Sequence, residues 1–123
     1  MAVFSRRAKV IRKKDGSVLI PDCGMALNSW EKMVGLLRHK TLPRGEAMWI
    51  NNSTSIHTFF MKFAIDVAFL DRQGKVLALY HSMPPWRHSW IHMFAKGALE
   101  AKSGLWKELG VEKGEVLEIC RSN

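Results

Sequence analysis

FFMKFAIDVAFLDRQGKVLALY, residues 59–80, is the stretch of sequence that decides the fold. Residues 59–70 are dense in aromatic and β-branched side chains, which favour strands. The segment 71–74, DRQG, has the composition of a turn, and residues 76–80 run back in strand-forming residues. The stretch therefore predicts a β-hairpin.

Side-chain size alternates along the first strand of this hairpin. The odd positions from Phe63 to Phe69 are bulky, whereas the even positions are small except for Asp66. Successive side chains of a strand point to opposite faces of the sheet. We therefore expect one bulky face and one small face that carries a single carboxylate.

Shorter segments predict the other strands. The turn dipeptide Asp15-Gly16 separates two β-forming runs near the beginning of the chain and predicts another hairpin. Single strands are expected at residues 47–50, 98–101 and 116–120, where short runs of apolar and β-branched residues recur.

Two short helices are expected between the strands. Residues 30–39 place apolar side chains at helical spacing, and Asn28 with Glu31 forms a capping box before them. Ser103 is expected to cap a second helix that ends at Gly110. The predicted fold is α+β, with a mainly antiparallel sheet curled into a small barrel-like core.

The length of the chain limits its organisation. A chain of 123 residues suits a single domain over residues 1–123, within which we expect the basic segment 1–14 to be partly disordered. No stretch is apolar enough to span a membrane, so we expect no membrane insertion, and no secretory signal is evident. A cytoplasmic location is the expectation that follows.

Positive charge is concentrated near the beginning of the chain. The net charge is +8, and residues 1–44 hold ten basic and three acidic residues. The densest part is residues 6–14. Two interpretations stay open, an arm that binds phosphate groups or a solvated edge strand whose charges block pairing with other sheets.

The two cysteines, Cys23 and Cys120, lie almost a chain length apart and have no metal-binding spacing. We expect reduced thiols, because a cytoplasmic location keeps cysteines reduced. A disulfide between the two terminal regions stays open and would require Cα atoms within about 7 Å of each other. His88 and His92 are four residues apart, but the Pro-Pro pair before them disfavours a helix and no acidic or cysteine ligand accompanies them. The sequence predicts no metal site and no cofactor.

A polar run lies before the central hairpin and defines the first candidate site. Its candidate ligand-binding residues are Asn51, Asn52, Ser55, His57, Thr58, Lys62 and Asp66. A histidine and a carboxylate placed together exchange a proton or bind a polar ligand. Alternatively, Asp66 accepts backbone N–H bonds at a bend and His57 is structural.

The loop of residues 81–92 defines the second candidate site, through Trp86, Arg87 and Trp90. Tryptophan and arginine on a loop suit stacking on bases or sugars and are enriched in binding hot spots. The alternative is a loop folded over the barrel end, with its tryptophans covering the core.

Several segments together resemble a known family. GLLRHKTLPRGEAMWI (35–50), SIHTFFMKFAIDVAFLDRQGKV (55–76), MPPWR (83–87) and EKGEVLEI (112–119) are similar in order and spacing to the family called domain of unknown function 192. One departure is Ala64, where the family usually has proline. The resemblance runs from about residue 27 to residue 119 and implies a small α+β or β-rich fold, with no established reaction.

Three hypotheses about function follow. The first is a non-enzymatic binding or accessory module, in which the polar run and the tryptophan loop hold a small ligand or a protein segment. The second is a nucleic-acid binder that uses the basic N-terminal segment and the tryptophan loop, and the third is a small hydrolase or lyase that uses His57 and Asp66. The sequence leaves open whether the protein is an enzyme, and it does not specify an oligomeric state.

Overall fold

A computed structural model describes residues 7–26 and 42–121 of the chain. The described elements, in chain order, are β1 (Arg7–Arg12), β2 (Val18–Ala26), β3 (Glu46–Asn51), β4 (Ile65–Leu70), β5 (Val76–Met83), β6 (Gly97–Lys102), α1 (Leu105–Leu109) and β7 (Leu117–Arg121). The fold is thus α+β but mostly strand. The predicted helix over residues 30–39 lies outside the described residues, so a second helix stays a prediction.

The strands form one sheet in the order β5-β4-β6-β3-β2-β1-β7. Of the six strand pairs in this described sheet, five are antiparallel and one, β2 with β3, is parallel. The mainly antiparallel sheet and both hairpins are therefore confirmed. The extension of the central hairpin over residues 59–64 was wrong, because Phe60 has a φ of 67° and interrupts the extended backbone before β4 begins.

The sheet curls into a half-barrel, and hydrogen bonds near Gly74 hold it in this shape. The N–H of Leu117 donates to the carbonyl of Gly74 at 2.9 Å, and the N–H of Val76 donates to the carbonyl of Glu115 at 2.8 Å. These bonds join the β4–β5 turn to the segment that enters β7. Gly74 has a φ of 85°, and a Cβ atom there would overlap the carbonyl oxygen of Leu117. The close approach therefore requires glycine.

Apolar side chains cover both faces of the sheet. Ile65, Val67 and Phe69 pack in one cluster, here called the outer core. Ala68 and Leu70 pack in the other cluster, the inner core, which combines residues from both edges of the curled sheet. The predicted alternation is confirmed. All six residues of β4 are nevertheless buried, because β4 lies between β5 and β6 and carries apolar cover on each face.

Helix α1 closes part of the inner core. Leu105 and Trp106 are fully buried there, and Trp106 heads the fully buried side chains by volume. The predicted end of this helix at Gly110 is confirmed, since Gly110 adopts a left-handed φ of 69° and its N–H donates to the carbonyl of Lys107 at 3.2 Å.

The predicted cap of α1 was wrong. Gly104 occupies the N-cap position with a φ of 88°, and no side chain of its own caps the helix. The hydroxyl of Ser103 instead lies 2.6 Å from the hydroxyl of Ser82. The free N–H of Trp106 donates to Oδ2 of Asp66, on the distant strand β4, at 3.0 Å. A residue remote in sequence therefore supplies the cap.

The basic strand β1 lies inside the sheet, between β2 and β7, so the edge-strand interpretation of its charges was wrong. Two of its arginines pair with carboxylates of the fold, Arg7 with Asp22 and Arg12 with Glu115. These two arginines are already partly neutralised, so they contribute less positive charge to the predicted phosphate-binding arm.

The cysteines lie on opposite sides of β1. Ala8 pairs with Cys23 on β2, whereas Lys9 pairs with Cys120 on β7. Cys23 and Cys120 are therefore two strand spacings apart, about 10 Å, and this distance exceeds the reach of a disulfide. Both thiols are free, and burial raises the pKa of Cys23 to about 12. Cys23 therefore offers no thiolate for nucleophilic chemistry near neutral pH.

Candidate functional site

Two loops that the sequence treats separately lie side by side. They are the β3–β4 loop, residues 52–64, and the β5–β6 loop, residues 84–96. The N–H of Thr58 donates to the carbonyl of Arg87 at 2.8 Å, and the N–H of Trp86 donates to the carbonyl of Thr58 at 3.1 Å. His57 and His88 form a β-bridge between the loops. The two predicted candidate sites therefore meet along this line of hydrogen bonds.

Thr58 and Ser89 hold the two loops together from inside. The hydroxyl of Thr58 is fully buried, donates to the carbonyl of Pro84 at 2.6 Å and accepts the N–H of Arg87 at 2.9 Å. The hydroxyl of Ser89 accepts the N–H of Ile56 at 3.0 Å. Thr58 was a candidate ligand-binding residue, and in the structure the hydrogen bonds of its hydroxyl fix the loop.

Aromatic rings gather where the loops meet, in what we call the aromatic surface: His57, Phe59, Phe60 and Trp86. The His57 and Phe59 rings stack with centroids 4.9 Å apart. The Phe60 and Trp86 rings meet edge to face at 4.7 Å, and the Phe59 and Trp86 centroids lie 6.1 Å apart. Such spacings are those of favourable aromatic pairs.

The rings of this surface remain open to solvent. Phe60 is 69% exposed and Trp86 is 56% exposed. Both also adopt left-handed backbone conformations, with φ of 67° and 65°, which bulky residues rarely occupy. Residues held in such conformations cluster at binding sites and active sites. The backbone thus holds two large rings outward at a conformational cost.

The loops that carry the aromatic surface have no acidic residue. Residues 51–63 and 81–96 contain Lys62, Arg87 and Lys96 and no aspartate or glutamate. Lys62 and Arg87 are exposed, and Arg87 directly follows Trp86 in the chain. Cationic side chains therefore flank the rings with no carboxylate of the same loops to neutralise them.

Trp90, predicted to act with Trp86, belongs to a different surface. It stands beside Ile91, Met93 and Phe94 in a run of large apolar side chains that we call the apolar tip, and these four are 71–85% exposed. The N–H of Trp90 donates to the hydroxyl of Tyr80 at 3.1 Å, and its indole ring remains in solvent. The alternative that the tryptophans cover the core is thereby wrong for both loop tryptophans.

The structure does not bring Asp66 and His57 into contact. Asp66 is fully buried, and its Oδ1 accepts the N–H of Ser82 at 2.7 Å and the N–H of Gly104 at 2.9 Å. Its Oδ2 accepts a hydrogen bond from the N–H of Trp106. His57, in contrast, is exposed on the β3–β4 loop. Asp66 therefore accepts backbone N–H bonds at a bend, which was the alternative considered from the sequence.

Asn51, Asn52 and Ser55 have contacts of their own. Asn51 ends β3 and lines a cleft of about 320 Å³ together with Leu70 and Leu117. The amide oxygen of Asn52 accepts a hydrogen bond from Nζ of Lys96 at 2.8 Å. Ser55 is exposed, and its carbonyl accepts the hydroxyl of Ser53 at 2.6 Å. Asn51 and Asn52 thus have different surroundings in the fold.

Two further features were not selected from the sequence. Phe59 and Phe60 were assigned to a strand, and only the turn at Phe60 turns their rings outward. Glu100 lies on β6 between Met48 of β3 and Val67 of β4, and it is 95% buried, since 5% of its surface is exposed. Burial raises the pKa of its carboxyl group to about 8. Its position within a short apolar run, GALEA, was the available signal.

Within the described part of the chain, no group of three or more His, Cys, Asp or Glu side chains gathers as metal ligands would. No helix in that part is long and apolar enough to cross a membrane.

Two solved structures share the fold. A protein of unknown function from Novosphingobium aromaticivorans superposes with a TM-score of 0.76 and 19% identity, over 91% of this chain and 83% of the other. A protein from Sinorhizobium meliloti described as a "putative transcription regulator" gives 0.77 and 17%, over 97% of each chain. At these identities the likeness concerns the fold alone.

Sequence comparisons show the family. A UPF0127 protein of Pyrococcus abyssi is 39% identical over 66 residues, which cover 54% of this chain and 56% of that protein. The match thus spans little more than half of the relative's length. Residues 10–119 match the model of domain of unknown function 192, described as "Uncharacterized ACR, COG1430". The chain therefore belongs to the domain of unknown function 192 family, whose function is uncharacterised.

Proposed function

We propose that the protein is a non-enzymatic binding module whose aromatic surface takes a ligand made of a flat ring and a phosphate group. The observation that carries the proposal is the pair of rings of Phe60 and Trp86. They touch edge to face, stand largely in solvent and are held there by left-handed backbone conformations. Folding alone gives no reason to hold two large rings outward at such a cost.

The charge around the rings favours an anionic ligand. Arg87 follows Trp86 in the chain, Lys62 follows the ring-bearing segment, and the loops contain no carboxylate. Stacking on an aromatic ring contributes about 1–3 kcal/mol per base, and cationic side chains supply the contact to phosphate. A base joined to a phosphate satisfies both parts of the surface.

Two sources supply this chemistry, a free nucleotide and a single-stranded nucleic acid. The surface has at least three rings in sequence, His57 on Phe59 and Phe59 beside Trp86, which suits successive bases of a strand. The single strand is therefore the source we favour, and the free nucleotide is the alternative that the experiment separates.

Hydrolysis and lyase chemistry gain no support from the pair His57 and Asp66. The carboxylate of Asp66 is fully buried and accepts three backbone N–H bonds. A general acid or base must reach its substrate within hydrogen-bond distance. We therefore favour binding over catalysis.

Fluorescence anisotropy of a labelled decauridine tests the proposal, with uridine monophosphate as competitor, at about 50 mM and about 150 mM salt. We expect saturable binding at both salt concentrations, weakened about tenfold by Trp86→Ala and by Phe60→Ala. If uridine monophosphate displaces decauridine at an equal concentration of bases, the ligand is a free nucleotide. If it competes only weakly, the ligand is a single strand.

The control variant is Lys107→Gln, which removes one exposed charge from α1, outside both loops. It is expected to bind as the unaltered protein does. Equal affinity of the Trp86→Ala and Lys107→Gln variants, or no binding at the lower salt concentration, would overturn the proposed function.

A further inference from the structure

The apolar tip is the most unusual surface of the described chain. Its four side chains, Trp90, Ile91, Met93 and Phe94, lie within five consecutive residues and are 71–85% exposed. Single exposed apolar residues are common, but a run of four large ones marks an interaction site.

The fold holds this tip in place. His92, in the middle of the run, points inward: its Nε2 lies 2.8 Å from the hydroxyl of Tyr80, and its ring packs on Phe69 with centroids 4.5 Å apart. Its N–H donates to the carbonyl of Thr54 at 2.7 Å. Partial burial, followed by the charge of Lys113, lowers the pKa of His92. This shift favours the uncharged form of the imidazole that anchors the tip.

The tip projects into solvent, and Met93 and Phe94 also form one side of an open cleft of about 670 Å³. Side chains that are 71–85% exposed have few neighbours, whereas a pocket for a small ligand or a peptide half-buries its own lining. Among the described residues, the rings of Trp90 and Phe94 have no aromatic partner, unlike the ring of Trp86. Such a projection is better suited to insertion into a fluid apolar layer than to contact with a rigid, complementary protein surface.

The charges beside the tip select the type of surface. Arg87 and Lys96 flank it in the sequence, and residues 81–96 have no carboxylate. The cleft beside the tip adds Arg72 and Lys75 against one carboxylate, Asp71. A second copy of this chain would bring like charges together on this face. Anionic lipid headgroups attract lysine and arginine, and tryptophan and phenylalanine favour the interfacial region of a bilayer.

We propose that the apolar tip docks the protein peripherally on an anionic lipid surface. Trp90, Ile91, Met93 and Phe94 lie at headgroup depth, and Arg87 and Lys96 contact lipid phosphates. The chain does not cross the bilayer in this arrangement. The proposal uses neither Phe60 nor Trp86, so it can fail or hold separately from the ring-binding function, although the two surfaces share Arg87.

Co-sedimentation with vesicles tests the proposal. One set contains phosphatidylcholine alone, and the other adds about 30% phosphatidylglycerol, a fraction of anionic lipid that gives a clear negative surface potential. We expect binding to the anionic vesicles, weak binding to the neutral ones, and at least a tenfold loss for the double variant Trp90→Ser/Phe94→Ser. The matched control is Val18→Ser, another exposed apolar residue, which is 51% exposed on β2.

A second measurement identifies the residue that enters the lipid. Brominated lipids quench tryptophan fluorescence at the depth of the bromine, so quenching should be present in the Trp86→Phe variant and largely lost in Trp90→Phe. Binding that is equal for the two vesicle sets, or unchanged in the double variant, overturns the proposal. Sedimentation velocity that shows a dimer lost in the double variant also overturns it, because the tip is then an interface between two copies.

Discussion

Strand β4 and the apolar tip have similar apolar composition and opposite surroundings. In β4, whose sequence is IDVAFL, the large side chains are at most 1% exposed. In the tip, whose sequence is WIHMF, the large side chains other than His92 are 71–85% exposed. β4 pairs with a strand on each edge, whereas the tip is tied down through His92. Neighbouring strands, and not composition, decide burial. The sheet therefore supplies most of the stability, whereas the loops carry the exposed side chains that are available for binding.

The largest effect should come from removing the carboxylate of Asp66. Its two oxygens accept three buried N–H groups, from Ser82, Gly104 and Trp106. Asp66→Ala leaves those donors without partners, which costs about 3–5 kcal/mol of unfolding free energy. Urea denaturation measures the loss.

The control for this variant is Asp71→Ala. Oδ1 of Asp71 also accepts backbone N–H bonds, from Gln73 and Lys75 at 2.9 Å, but in an exposed turn. There water replaces the lost acceptor, so the loss should stay near 1 kcal/mol. Equal losses for the two variants would show that burial of Asp66 does not matter.

The buried carboxyl group of Glu100 should make stability depend on pH. Its pKa in the fold is about 8, whereas the ordinary value is 4.5. Between these values the unfolded chain releases a proton that the folded chain keeps, so stability falls as pH rises. The expected gradient is about 1.4 kcal/mol per pH unit, which amounts to about 3 kcal/mol between about pH 5 and pH 7.5.

Urea denaturation at several pH values compares the protein with Glu100→Gln, which lacks this titration. The free energy of unfolding of the variant should lack that gradient, so the difference between the two proteins grows with pH up to about 8 and is constant above it. Parallel pH profiles would contradict the assigned burial of the carboxyl group.

Closure of the half-barrel should tolerate no side chain at Gly74. A Cβ atom there meets the carbonyl oxygen of Leu117, and φ is 85°. Gly74→Ala should cost about 2–4 kcal/mol. Gly16→Ala is the matched control, since its φ is 72° and nothing lies within 4 Å of the added carbon, so about 1 kcal/mol is expected. A similar loss at both glycines would leave the closure without energetic importance.

The smallest effect on stability is expected at the exposed rings. Trp90→Ser should change unfolding free energy by no more than about 0.5 kcal/mol, because its ring packs against neither core. Trp86→Ala also loses two aromatic contacts and should cost about 1 kcal/mol. Thermal unfolding measures this against Trp106→Phe, whose fully buried ring should cost several times more. Losses of comparable size at Trp86 and Trp106 would remove the distinction between the loops and the sheet.

Much of the sheet could be predicted from local sequence. The alternation of residues 63–69 gave the two faces of β4, and the turns at residues 15–16 and 71–74 gave both hairpins. These features depend on neighbours in the chain. The position of β1 inside the sheet depends on its pairing with β7, more than a hundred residues away, and local pattern does not encode that pairing.

The candidate site was predicted only in pieces. The tryptophan loop was identified from composition, but Phe60 was placed in a strand because aromatic residues favour strands wherever they occur. Its outward ring depends on the bonds between Thr58 and the β5–β6 loop. Asp66 was selected as polar, yet its partners come from α1 and β5. Its role required knowledge of the tertiary contacts.

An amide NMR titration of the isotope-labelled protein with decauridine, at about 50 mM and about 150 mM salt, tests the central claim most directly. The account predicts saturable shifts in residues 56–62 and 84–88 that persist at the higher salt concentration, with the amides of β4 unchanged. Shifts confined to residues 9–14 and lost with salt, or no shifts at all, would contradict the claim that the aromatic surface is a binding site.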